Sequence, residues 1–260
     1  MKKYFTLWWK YTIYTTQIAL VSRFGIVIFT IGKLLRFFVF LFFLLAIIGK
    51  SNTLGGYSVW QMIFFYATFN LIDTLPQFFL REVYRFRNQV VSGAFDGVLL
   101  KPISPLFRSL FGGSDILDLS ILLLSLGFII YSGMHLPTVS IVSILLFVGL
   151  VFNAFIIALA LHIIVLSLGI RTSEVDNTIM IYRDITQMGR FPIDIYREPI
   201  RSVITFIIPV GIMMTFPAKA MMGVLSVSGV FISFSIGIFI FFLSLIFWRS
   251  SLRHYTSASS

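Results

Sequence analysis

Long apolar runs separated by short polar breaks organise the chain. Five runs approach the ~20 consecutive apolar residues that a helix needs to cross ~30 Å of hydrocarbon. They lie at about 25–48, 58–80, 113–132, 139–169 and 225–248. Ahead of the first, Lys3, Lys10 and Gln17 recur every seven residues, and Leu7, Tyr11, Tyr14 and Ile18 mark the opposing face. That pattern predicts an amphipathic helix over 1–23 lying in the membrane interface, or else the start of a tilted first span. The same stretch is aromatic and polar rather than short and basic, so no cleavable signal peptide is expected. Between 170 and 224 the pattern admits two readings. Hydropathy selects Val203 to Met222, broken by Pro209 and Pro217, as the remaining span and leaves Arg171 to Arg190 in water. The alternative makes 174–190 the span and folds 191–222 as a hairpin dipping back into the membrane. Each reading gives six spans.

Composition makes the bilayer the natural solvent. Hydrophobic residues form 58% of the 260 and charged residues 12%, about half the charge of an ordinary soluble domain. A soluble globule cannot cover so much apolar surface with so few charges. The absence of cysteine rules out disulfide scaffolds, Cys-ligated zinc and thiol catalysis. The net charge of +10 sits mostly beside apolar segments, where it meets anionic lipid and sets topology rather than binding nucleic acid. Lys2, Lys3, Lys10 and Arg23 precede the first span, Arg81, Arg85, Arg87, Lys101 and Arg108 follow the second, and Arg249 and Arg253 follow the last. These segments are expected in the cytoplasm, with both termini inside and the loops at 49–57 and 133–138 outside. The count does not choose between the two readings of 170–224, because Arg183, Arg190, Arg197 and Arg201 lie outside or within the membrane in one and inside in the other; taken naively, it favours the hydropathy reading.

The loop at 81–112 is far longer than a turn requires. Gly93 and Pro102 can bound a short helix with Phe95, Val98 and Leu99 on one side and Asp96 near its N-terminus. Such a helix either offers a small apolar face to a cytoplasmic partner or packs on the chain's own spans. The order Ser92-Gly93, Asp96, Leu99-Leu100, Pro102-Ile103-Ser104 after the second span resembles the ABC-2 class of ABC transporter permeases. The run Gly189-Arg190-Phe191-Pro192-Ile193-Asp194-Ile195-Tyr196, continuing through Pro209 to Pro217 and Lys219, resembles a bacterial subfamily of that class, with Arg197 departing from an expected proline.

The resemblance, which covers nearly the whole chain, implies an all-α polytopic membrane protein of six transmembrane helices. It makes 1–23 an interfacial elbow helix and 191–222 an extracellular re-entrant hairpin carrying Phe191, Pro192, Asp194, Tyr196, Pro209 and Pro217. It also implies that Gly93, Phe95, Asp96, Leu99, Leu100, Lys101, Pro102, Ser104 and Pro105 form the coupling helix seated in a separate ATPase subunit. The segment 174–190 then crosses the membrane, which places Asp176, Arg183 and Asp184 at or within the bilayer. A charge there costs roughly 2.5–3.5 kcal/mol unless paired or wet, so Arg183 and Asp184 become candidates for the translocation path. The implied partners are ABC ATPase subunits, a second permease subunit (a homodimer or a sister chain) and the plasma or inner-membrane bilayer. ATP and magnesium would belong to the ATPase, with no cofactor in this chain.

Other polar positions have plainer readings. Lys33 and Arg36 are placed to snorkel toward headgroups. Asn70, Asp73, Asn153 and His162 are candidates for helix-to-helix hydrogen bonds, and Gly229, Ser233 and Gly237 form a small-residue ridge for close packing. Gly49-Lys50-Ser51 lacks the glycine of a phosphate-binding loop, since residue 44 is Leu. No histidine spacing suits a metal and no catalytic pattern is present. The expected function is a permease subunit of an ABC exporter. An ion-gradient-driven secondary carrier is the alternative; it predicts matching broken helices in two halves, and only 191–222 is interrupted.

Overall fold

A computed structural model describes residues 2–51, 53–137, 139–172 and 175–256, and these are almost entirely helical. The helices are α1 (Lys2–Val21), α2 (Arg23–Ser51), α3 (Val59–Phe79), α4 (Phe86–Val91), α5 (Ala94–Leu99), α6 (Pro105–Leu110), α7 (Leu119–Gly133), α8 (Ile141–Thr172) and α9 (Val175–Met188). A helical turn at Ile200–Ser202 runs into a π-helical turn at Val203–Ile207, together called α10. The chain ends with α11 (Val210–Met221) and α12 (Val227–Arg253). Single 3₁₀ turns at Arg81–Arg85, Ile116–Asp118 and Ile193–Ile195 start or link these elements.

Four helical segments among the described residues are long and apolar enough to cross a membrane: Arg23–Lys50, Ile116–Gly133, Ile141–Thr172 and Val227–Arg253. At 1.5 Å per residue, the 32 residues of α8 reach roughly 48 Å, well past the hydrocarbon. Their outer faces are apolar and exposed, as at Leu35, Val39 and Phe42 of α2 and Phe239 and Phe242 of α12, which suits lipid and not water. The protein is therefore a multi-pass membrane protein. With 21 residues, α3 has the length, but Asn70, Asp73 and Gln77 make it less apolar. It starts at a capping box, in which Ser58 Oγ accepts the Gln61 N–H and the Gln61 side chain accepts the Ser58 N–H.

α3 forms the centre of the main core, burying Phe64, Phe65, Phe69 and Ile72 against residues of α2, α7, α8 and α11. α12 packs along α8. Gly237 leaves room for the Asn153 side chain, whose Nδ2 donates to Ser233 O at 2.9 Å and Ser233 Oγ at 3.0 Å. Of the expected glue and ridge residues, Asn153, Ser233 and Gly237 thus form one intrachain contact, while Asn70 Nδ2 donates to Tyr66 O of its own helix at 2.8 Å. His162 is buried, with Nδ1 against Ala158 O of its own helix at 2.7 Å. Lys33 does not snorkel. It is ion-paired with Asp118, whose side chain is buried, and the pair joins α2 to the start of α7.

A second core closes the end of the bundle where α3 stops. Leu80, Val83, Phe86, Val90, Phe95, Val98 and Leu110 pack there on Ile163, Leu166, Ile170, Ile179 and Trp248 of α8, α9 and α12. Residues 81–112 therefore fold as a platform rather than a free loop. α1 lies against it: Lys3 Nζ donates to Pro102 O at 2.9 Å, Ser104 N–H to Tyr4 OH at 3.3 Å, and Ser114 N–H to Thr12 Oγ1 at 3.1 Å. The other side of α1 exposes Phe5, Trp9, Ile13 and Ile18, the face a membrane interface would take.

Candidate functional site

Three places carry the sequence-predicted residues. The first is the platform. Gly93 adopts φ +73° and caps α5, which ends at Leu99, ahead of Pro102. The expected apolar side of this helix is split. Phe95 and Val98 point inward; the Phe95 ring sits edge-on to Phe86 at 5.1 Å and to Tyr255 at 5.2 Å. Phe95 is fully buried and cannot be part of an outward docking face, a correction that follows from the depth of the second core. Leu99 and Leu100 are exposed, Leu100 at 88%, beside exposed Lys101 and Pro102. Asp96 accepts from Tyr255 OH at 2.8 Å, and burial together with that bond pushes the Tyr255 hydroxyl up to about 12. Ser104 accepts the Phe107 N–H and Pro105 follows at the first turn of α6, so this pair starts a helix.

Sequence reasoning did not single out the residue that fixes the platform. Glu82 is buried and takes Arg108 Nη1 at 2.8 Å, Gln89 Nε2 at 2.6 Å and Arg85 Nη1 at 3.7 Å. Its carboxylate lies over Gly112, where an added Cβ would meet Glu82 Oε2 at 2.0 Å. The nearby Gly112-Gly113 pair was the available signal, since close approach favours glycine.

The second place is a seam between α2, α3 and α9. Arg36 stands near the middle of α2, and its Nη2 donates to Gln187 Oε1 of α9 at 3.1 Å. Arg183 and Asp184 are exposed on the same face of α9 as Gln187 and line a cleft of about 280 Å³ with Arg36 and Met180. The charges of Arg36, Arg183 and Arg190 all bear on Asp73 of α3, and Gln77 Nε2 donates to Asp73 Oδ2 at 3.2 Å. The Arg190 guanidinium lies over the Phe40 ring at 5.3 Å. The seam thus gathers Arg183, Asp184 and Gln187 of the polar stretch after the fourth apolar run with Arg36 of the first run and Asp73 of the second.

The third place is the segment after α9. Arg87 of the platform pairs with Asp176 at the start of α9 at 3.6 Å, and Tyr57, just ahead of α3, donates to Asp194 Oδ2 at 2.6 Å. Residues 176–194 therefore run antiparallel to α3 from one of its ends to the other. Lys219 Nζ returns to Asp194, at 3.0 Å from each oxygen, and Arg201 Nη2 adds a contact at 3.1 Å. Between these contacts α10 and α11 meet at 90°, with Pro209 at the break. The bend is tight, since Gly211 sits where a Cβ would meet Ile193 at 2.6 Å. Phe191 packs on Phe40 at 5.6 Å, Tyr196 OH donates to Met188 O at 2.7 Å, and Pro217 is buried within α11. Burial acts to raise the Asp194 carboxyl, but the hydrogen bonds from Tyr57 and Lys219 and the charges of Lys219 and Arg201 outweigh it and hold the group below the usual carboxylate range.

Among the described residues no three acids or histidines converge as metal ligands. The class that the fold and site define is a helical multi-pass membrane bundle with a folded platform at one end and a charged seam along one side. A family model described as ABC-2 family transporter protein matches residues 34–259. The chain belongs to that family, and it is a transport permease, the transmembrane component of such a system. Comparison with curated proteins and with solved structures returns no match.

Proposed function

We propose that this chain is half of the transmembrane dimer of an ABC exporter, beside a second copy or a sister permease, with a separate ATPase pair docked on the platform. The observation that carries this reading is the seam. Arg36, Arg183 and Asp184 are exposed on the side of a bundle whose neighbouring surfaces are apolar. Each would cost roughly 2.5–3.5 kcal/mol in lipid. That cost disappears where the face lines a wet path between two permease chains. In this reading α9 is the fifth crossing. Its 14 residues reach only about 21 Å, and 189–193 complete the passage to the outer surface, where Asp194 meets Tyr57. The return of Lys219 to Asp194 supports a hairpin that enters and leaves on the outer side, with protein contacts satisfying its broken backbone. Both termini and the platform lie in the cytoplasm, where the Arg81, Arg85, Arg87, Lys101 and Arg108 cations favour it.

Coupling runs through the exposed tip Leu99–Pro102. ATPase closure, with ATP and magnesium held by the ATPase, pushes this tip, and the second core transmits the push to α8, α9 and α12. Because the tip is exposed, Leu100→Asp should abolish ATPase co-purification while leaving the unfolding temperature of the permease unchanged. Retained capture and normal transport would sink the coupling assignment. Transport by the lone chain on an ion gradient would sink the ABC reading. The path is tested on the naturally cysteine-free chain. A single cysteine replacing Asp184 should react with a charged, membrane-impermeant thiol reagent, and a cysteine replacing lipid-facing Phe42 should not.

A further inference from the structure

The seam opens toward the platform into a cavity of about 510 Å³, within the range of small-molecule sites. Its polar lining is Lys33, Arg36, Gln77, Arg81, Tyr84 and Arg183, and no carboxylate lines it. Two of its four cations are already answered, Lys33 by Asp118 and Arg81 by Asp115 at 3.4 Å. The other two are not ion-paired among the described residues: Arg36 gives a hydrogen bond to the neutral Gln187 amide, and Arg183 stands exposed. Of the nearby acids, Asp73 lines a small space behind α2 that Arg36 also borders, and Asp184 lines the neighbouring cleft together with Arg36 and Arg183, but neither carboxylate enters this cavity. Guanidinium groups present forked donors that match planar carboxylate and tetrahedral phosphate. Ile28 and Phe29 supply the apolar part of the lining and are more than half exposed on α2, so a ligand with its charge in the cavity has a greasy wall to lie along.

We propose that this cavity binds an anion of the phosphate or carboxylate type, either the headgroup of an amphiphile or a free anion, and that the permease carries ligands of this charge. The proposal rests on the reading of the seam as the transport path and names the substrate class for it.

The test uses the purified chain in a neutral maltoside detergent, with its unfolding temperature followed against dihexanoyl phosphatidic acid, dihexanoyl phosphatidylcholine and inorganic phosphate. Phosphatidic acid should stabilise the chain and phosphatidylcholine should not. Arg36→Gln combined with Arg183→Gln should weaken the apparent affinity by about tenfold or more, and Lys10→Gln on α1 should leave it unchanged. Equal stabilisation by inorganic phosphate, lost in the same double variant, upholds the site with a soluble anion as its source. An equal response to phosphatidylcholine, or undiminished affinity in the double variant, overturns the proposal. Should the double variant fail to fold, Arg36→Lys and Arg183→Lys decide: they keep the charge and lose the fork, and full affinity for phosphatidic acid at both sites counts against the assignment. This binding measurement needs neither ATPase nor transport. Failure of the cysteine at 184 to react with a polar thiol reagent would therefore sink the path reading separately.

Discussion

One carboxylate organises each end of α3, and the two do so by different means. Glu82 sits just past the C-terminus of α3, accepts a hydrogen bond from Gln89 and pairs with the charges of Arg85 and Arg108, all within the platform. Asp194 meets Tyr57 just ahead of the N-terminus and draws on Tyr57, Arg201 and Lys219, so it ties together segments up to 137 residues apart. The Glu82 side chain is 4% exposed and is backed by an apolar core that shares Phe86 and Leu110. The Asp194 side chain is 22% exposed and holds a bent, π-wound segment whose Ile204 is buried in the main core, while its partner Arg201 is 43% exposed. Under the proposed coupling, the platform is the stiff unit that passes a push to α8, α9 and α12. In the same proposed reading, the 191–222 hairpin is a clamp held in part by the charges around Asp194. A transporter needs both, a lever that does not absorb strain and an opposite end that can open.

Breaking the stiffer hub should cost the most. Glu82→Ala strands Arg108, whose side chain is 22% exposed, and should lower stability by about 3 kcal/mol, near the lower end for a broken buried pair. Thermal unfolding of the purified chain reads this directly. Gly112→Ala, which drives a methyl into the Glu82 carboxylate, should fall in the same direction. An unchanged midpoint for Glu82→Ala would mean that the apolar core alone fixes the platform.

Asp194→Asn should cost less, about 2 kcal/mol, because charge-assisted hydrogen bonds are lost at a partly wet site. Its dependence on pH sharpens the contrast. The folded Asp194 pKa lies below its unfolded value of about 3.9. Its stabilising contribution is therefore complete above about pH 4 and is lost as pH falls through the lower folded value. The wild-type chain should lose stability on acidification below pH 4 more steeply than Asp194→Asn. Parallel curves for the two proteins would remove Asp194 as the clamp.

Residues on one periodic face were legible in the sequence, and residues that meet across the fold were not. The apolar runs set α2, α8 and α12 to within a few residues, because a ~20-residue hydrophobic stretch has few other structures open to it. Asp194 was visible because it sits in the distinctive string Phe191 to Tyr196, though its partners Tyr57 and Lys219 were not, being 137 and 25 residues away. Phe95 shows the opposite failure. Its spacing to Leu99 suggested a shared outward face, yet a six-residue helix lying on a core of Phe86, Trp248 and Tyr255 turns only one side to solvent, and that side holds Ala94, Gly97 and Leu99. Arg36 and Lys33 lie one helical turn apart but belong to different contacts, because α9 faces one and Asp118 the other.

The smallest expected effect isolates the backbone of the platform from its ion pairs. Gly93 holds φ +73° and ψ 0°, the left-handed region, and an added methyl would meet nothing closer than Asp96 Oδ2 at 3.9 Å. Space is available, so the penalty of Gly93→Ala is conformational, about 1 kcal/mol. Gly93→Asn should recover part of it, because asparagine tolerates this region better than alanine. Neither change touches Glu82 or the exposed tip, so both variants should unfold within a few degrees of wild type. If asparagine is no better than alanine, the left-handed backbone is not what sets the start of α5. If alanine costs as much as Glu82→Ala, the platform owes its stiffness to the turn at Gly93 rather than to the buried carboxylate.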